Sequence, residues 1–275
     1  MNTTTNNNDI DTENNLLPIG TPCEPYLDDK SIYVLANQLD DLEGLRQAQD
    51  NRIRILTTCS VDKDGEVRGF GMSMDAPTVK DLLALQEGTK QLEHENVLKL
   101  QKAMRKHPLW QWAKQQKGVG EKTLARLLGI IGDPYVNATT HTVRSVSQLW
   151  AYCGLHTLTN PDGGSNIAAR RMKGVQANWN TNAKTRAYLI AEALVKAGVR
   201  KHEDGSRYPL TEYGRVYIQR REHTLVTHPE WTPGHSQNDA MRILMKAFLK
   251  DLWRAARDIH NQDISPDSLN TKDNQ

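Results

Sequence analysis

Residues 117–133 read KGVGEKTLARLLGIIGD, and this stretch sets the expected fold. A helix ending near Lys117, a tight turn carrying Gly118 and Gly120 around Val119, and a second apolar helix make a helix-hairpin-helix. Glycine reaches backbone angles closed to other residues and lets the main chain approach a phosphate closely. The N–H groups that open the second helix point outward, and the helix dipole favours an anion there. Val119 plugs the turn into a core. Lys117 and Lys122 flank the turn and Arg126 follows one turn later, so Lys117, Gly118, Val119, Gly120, Lys122, Thr123 and Arg126 are the expected DNA-binding residues. Such contacts hold phosphates without reading base sequence. Glycine also caps ordinary helix-helix turns, and a purely structural turn is the competing reading.

On the N-terminal side, apolar residues from Ser31 to about Thr57 fall at Ile32, Leu35, Leu39, Leu42, Ile53 and Leu56. That spacing puts them along one helical seam, with Ser31 as N-cap. A second helix starts after Pro77 and runs through Leu82, Leu85, Leu92, Leu100 and Met104 to Pro108. The two pair as an antiparallel hairpin or join partners in a coiled coil. Strand alternation is suggested only over residues 66–74.

On the C-terminal side the spacing predicts helices over Trp110–Lys117, Ser145–Cys153, Thr181–Ala197 (capped by Thr181), about Leu210–Glu222 and roughly Ser236–His260. The last has an apolar face (Met241, Met245, Phe248, Leu252, Ala256) and a basic one (Arg242, Lys246, Lys250, Arg254, Arg257). Between the second and third of these lies a Gly-rich basic loop, DGGSNIAARRMKG, whose Arg170, Arg171 and Lys173 are further expected DNA contacts. The six tryptophans at helical spacing read as packing residues. The fold class is mainly α. Its expected parts are a polar tail (1–25), a helical hairpin or coiled coil (26–108), a helix-hairpin-helix domain (109–260) and a second tail (261–275), both tails being too polar to order.

Charge follows the same division. Residues 26–100 carry fourteen acids against nine bases. From residue 101 to Pro134, Lys102, Arg105, Lys106, Lys114, Lys117, Lys122 and Arg126 face only Glu121 and Asp133. A polyanion would meet the second half of the chain. There is no apolar run of membrane-spanning length and no signal-peptide pattern, so the expected location is the cytoplasm, with the nucleoid. Cys23, Cys59 and Cys153 read as free thiols, and the histidines show no metal-ligand spacing. Asp40, Asp41, Glu43 and Asp50 read as a solvated acidic face rather than a metal site, and no intrinsic cofactor is expected.

From about residue 92 to 257 the sequence resembles the C-terminal domain of DEDD-type transposases of bacterial insertion sequences, a family of RNA-guided DNA recombinases. The resemblance rests on the order and spacing of KGVGEKTLARLLGIIGDP, SVSQLWAYCGL, the basic loop ending in RRMKG, TNAKTRAYLIAEALVKAG and AMRILMKAFLKDLWRAAR. It implies a role in transposition or recombination, with DNA and a guide RNA as partners and the N-terminal helices as an oligomerising coiled coil. The family also carries an N-terminal nuclease-like domain with four metal-binding carboxylates. Residues 1–91 show no such βαβ pattern, so the expectation is a chain without it. The family's serine nucleophile lies in a Ser-Gly loop; the counterpart is Ser165 in DGGSN, where the order is Gly-Ser.

Three functions follow as expectations. The first is a transposase-like protein that binds the DNA backbone. The second is an active recombinase that cleaves through Ser165, with Mg2+ and a partner. The third is a protein-interaction module whose hairpin is structural.

Overall fold

A computed structural model describes residues 17–159, 167–171 and 173–264, with side chains to residue 262. The described chain is mainly helical, with only short antiparallel strand pairs. In order these are α1 (Lys30–Thr57), β1 (Ser60–Val61), β2 (Val67–Arg68), α2 (Pro77–Lys106), α3 (Trp110–Ala113), α4 (Glu121–Ile131), β3 (Val136–Asn137), β4 (Thr142–Val143), α5 (Val146–Tyr152), β5 (Thr157–Leu158), β6 (Ile167–Ala168), α6 (Thr181–Gly198), β7 (Val199–Lys201), β8 (Arg207–Pro209), α7 (Glu212–Thr227) and α8 (Pro233–Ile264).

Helix starts follow local capping chemistry. Asp29, not Ser31, caps α1: its Oδ1 accepts from the Ser31 and Ile32 amides at 2.7 and 3.3 Å. Ser145 and Gln148 form a reciprocal capping box at α5. Asn180, one residue ahead of Thr181, caps α6 by accepting from Ala183 N. The helix expected over Trp110–Lys117 stops at Ala113, and α8 begins ahead of Ser236 and runs past His260.

α1 and α2 form an antiparallel hairpin, one of the two arrangements the sequence left open. Asn96 Nδ2 donates to Leu35 O (2.9 Å), Arg46 pairs with Glu93 (2.7 Å), and Gln86 bonds Asp50, so the partners converge toward the β1–β2 turn. The seam departs from the expected apolar one. On α2 it buries Val79, Gln86, Thr89, Asn96, Leu100 and Met104, and leaves Leu85 and Leu92 exposed on the outer face. The leucine spacing alone could not distinguish which helical face turns inward.

The expected boundary at residue 108 does not divide the core. Ile32, Ala36 and Leu39 of α1 and Leu100 and Met104 of α2 share one buried cluster with α4 to α8. A Cβ on Gly129 would lie 2.9 Å from Ala36 Cβ, so α4 crosses α1 at a distance only glycine allows.

Residues 17–25, expected as part of a tail, are instead tied to β4. Gly20 N donates to Val143 O, Val143 N to Thr21 O and Cys23 N to His141 O, each at 2.9 Å. The edge of a two-stranded ladder offers unpaired backbone groups, and this segment fills them. Leu27 then anchors in the core at 1% exposure.

These connections meet at Asp133, whose carboxylate is fully buried. It accepts from Tyr135 N (2.8 Å), Val136 N (3.2 Å) and Leu27 N (3.4 Å), and His260 Nε2 lies 2.6 Å away. A carboxylate can only accept, so Nε2 carries the proton. Asp133→Ala strips all four donors of their acceptor and is expected to cost about 3–5 kcal/mol in urea unfolding. A loss under about 1 kcal/mol would show that the donors find other acceptors.

Candidate nucleic-acid interface

The turn carries Gly118 and Gly120 around Val119 as expected, although the helix before it ends at Ala113, and its glycines have distinct roles. Gly118 sits at φ +105°, and a Cβ there would lie 2.8 Å from Ala193 O and 3.0 Å from Ala197 Cβ. Its close approach is therefore to α6 of this chain. Gly120 is the extended N-cap of α4, with no side-chain cap bond to the first-turn amides. A Cβ there would have Thr123 Oγ1 as its nearest neighbour, at 3.8 Å, so this side of the turn is open. Thr123 Oγ1 donates to Gly120 O at 2.9 Å and braces the turn. Val119 is buried against the core, as its apolar character requires.

The expected cations divide into free and committed ones. Lys117 is exposed, as is Lys114, which donates to Gln111 Oε1. Lys122 and Arg126 point back onto α1. Lys122 Nζ lies 3.0 Å from Glu43 Oε1, while the Arg126 guanidinium bridges both Glu43 oxygens at 2.8 and 2.6 Å and also pairs with Asp40. Arg186 of α6 reaches the same Asp40 oxygen at 2.7 Å. Arg126 is 8% exposed, so this is a partly desolvated network in which an arginine fork meets a carboxylate edge-on. Glu121, an acid in the first turn of α4, is engaged by Arg105 Nε at 3.3 Å.

Two sequence readings change as a result. Lys122 and Arg126 are ion-paired to α1, so a phosphate at either would compete with Glu43 or Asp40. Asp40, Glu43 and Asp50 are ion-paired rather than simply solvated, Asp50 with Arg46 at 3.1 Å. Arg186 gave no signal in the sequence, because its partner lies 146 residues away.

Arg170, Arg171 and Lys173 are exposed beyond β6. Ser165, the candidate nucleophile, lies outside the described residues. The basic stripe expected on α8 is broken up: Arg254 and Arg257 meet Asp251 and Asp258, and Arg242 and Lys246 are half-buried. Trp150 and Trp253 donate their indole N–H groups to Lys246 O and Arg144 O, which fits packing roles. Among the described residues no three His, Cys, Asp or Glu gather as a metal-holding group, and no helix is long and apolar enough to cross a membrane.

No protein-family model matches the chain, and no curated protein matches it.

The Glu43 network gives a pH signature. Burial pushes the Glu43 carboxyl up, but the hydrogen bonds and charges of Arg126 and Lys122 outweigh it and hold the group down at about 2, against an ordinary 4.5. A carboxyl depressed in the folded state stabilises the fold above its unfolded value, and that contribution is lost as pH falls. The urea midpoint is expected to drop between pH 4.5 and about 2, and Glu43→Gln to flatten that part of the profile. An unchanged profile in Glu43→Gln would remove the network from the account. Gly118→Ala is expected to cost about 1–3 kcal/mol in thermal or urea unfolding, because it combines positive φ with contact on α6.

Proposed function

We propose that this protein is a transposase-like DNA-binding protein that grips the sugar-phosphate backbone at the 118–120 turn. One observation carries the reading: the first turn of α4 opens at Gly120 with no side-chain cap and an unobstructed Cβ position, beside exposed Lys114 and Lys117. A helix start without a side-chain cap, next to exposed ammonium groups that have no acid partner among the described residues, suits a phosphate. The order of segments that resembles the DEDD-type transposases supports a place in transposition or recombination. Because Lys122 and Arg126 are committed to α1, the grip rests on fewer cations than the sequence offers.

A second reading, a protein-interaction module with a structural hairpin, is favoured by Leu85 and Leu92. They stand exposed seven residues apart on the outer face of α2, where a second copy could pair as a coiled coil. Gly118 fits this reading too, since its packing on α6 explains the glycine without a ligand.

Binding of labelled duplex DNA across a salt series separates the two. Gly118 is a poor probe because its substitution disturbs α6, so the informative variant is Lys114→Gln with Lys117→Gln. Wild type is expected to bind with a steep salt slope, and the double variant to bind more weakly on every sequence with the slope reduced by about 2. Equal affinity and slope in the two proteins would pass the lead to the interaction reading.

A further inference from the structure

A second cationic site lies at the other end of α6. Lys184 Nζ donates to Ala169 O at 2.9 Å, and Arg242 Nη2 donates to Leu155 O at 3.0 Å. Those carbonyls flank one small ladder, β5 against β6, which is extended by Ala169 N donating to His156 O. Lys246, one turn along α8 from Arg242, sits over the Trp150 ring at 4.0 Å, and Lys184 sits 5.6 Å from the centroid of Trp179. The three cations, on two helices, thus converge on one corner.

What sets this corner apart among the described residues is that its cations have no paired acid. The acid nearest in sequence, Asp239, is taken by Arg220 Nε at 2.5 Å. Two buried nitrogens, Arg242 Nε and His156 Nδ1, have no hydrogen-bond partner among the described residues, and the His156 ring stands edge-on to Trp179. Burial first, and then the charge of Arg242, lower the pKa of both Lys184 and Lys246. Arg242 is itself lowered by burial, with Asp239 opposing and Arg220 adding to the shift. Half-buried like charges and an unpartnered guanidinium N–H are costly arrangements that an anion would relieve.

We propose that Lys184, Arg242 and Lys246, with His156 at the edge, form a binding site for a phosphate group. Three cations beside the unpartnered Arg242 Nε–H match a multiply charged tetrahedral oxyanion better than a single carboxylate. The site does not rest on the hairpin reading. Counted along α6 from Lys184 to Ala193 and Ala197, it lies about 14 to 20 Å from the turn. The phosphate could belong to a nucleic acid or to a free phosphate compound.

The test is a thermal-shift and calorimetric titration of the whole chain with pyrophosphate, at constant ionic strength set by chloride. In parallel, a short single-stranded oligonucleotide is titrated with and without a 5′-phosphate. Wild type is expected to show saturable stabilisation. Lys184→Gln with Lys246→Gln is expected to keep its unliganded melting temperature or raise it, since repulsion is removed, while its affinity falls about tenfold or more. A merely structural role would instead lower the unliganded melting temperature. Lys114→Gln with Lys117→Gln is expected to leave pyrophosphate affinity unchanged, which separates this site from the hairpin. Preference for the phosphorylated oligonucleotide assigns the site to nucleic acid, and response to pyrophosphate alone assigns it to a free compound. No saturable response from wild type to any of these, or an equal response from the variant, overturns the proposal.

Discussion

The buried carboxylate of Asp133 joins three distant parts of the chain. A charge removed from water is tolerable only when its acceptor capacity is filled, and here Leu27, Tyr135, Val136 and His260 fill it. The requirement brings the segment before α1, the turn after α4 and the end of α8 to one point. Arg144 adds to the same turn by donating to Pro134 O, Ile131 O and Asp133 O. The helix that opens at the candidate interface is therefore fixed at its far end by elements from both ends of the described chain.

At its near end α4 is fixed by opposite charge. Asp40 and Glu43 come from the acidic helical arm, and Lys122, Arg126 and Arg186 from the basic remainder. The charge asymmetry of the sequence is thus used partly inside the molecule, to seat α1 on α4 and α6. Lys114 and Lys117 lie outside this network, which separates them from Lys122 and Arg126. Lys184, Arg242 and Lys246 differ again: they are half-buried and have no ion-pair partner among the described residues.

The arm itself shows why polar residues matter in a helical seam. Gln86, Thr89 and Asn96 are buried between α1 and α2, and the amides bond Asp50 and Leu35 O. Such bonds form in only one register, whereas a leucine seam would tolerate several. The cost is that Leu85 and Leu92 remain outside, uncovered among the described residues.

Much of the secondary structure was legible because capping groups, glycines and apolar spacing act over a few residues. Pro77 at the start of α2, Ser145 at α5 and the Gly118–Gly120 turn were all readable on that scale. The mainly helical class and the glycine turn were likewise determined by the sequence alone, whereas the antiparallel pairing of the arm was one of two arrangements it allowed. Tertiary structure decided which charges are free. Arg126 and Asp40 lie 86 residues apart, and Lys184 and Arg242 meet only because α6 and α8 pack together beside the β5–β6 ladder. A local pattern names a cation, but whether a carboxylate faces it depends on contacts across the fold, because Coulomb attraction and desolvation act through space and not along the chain.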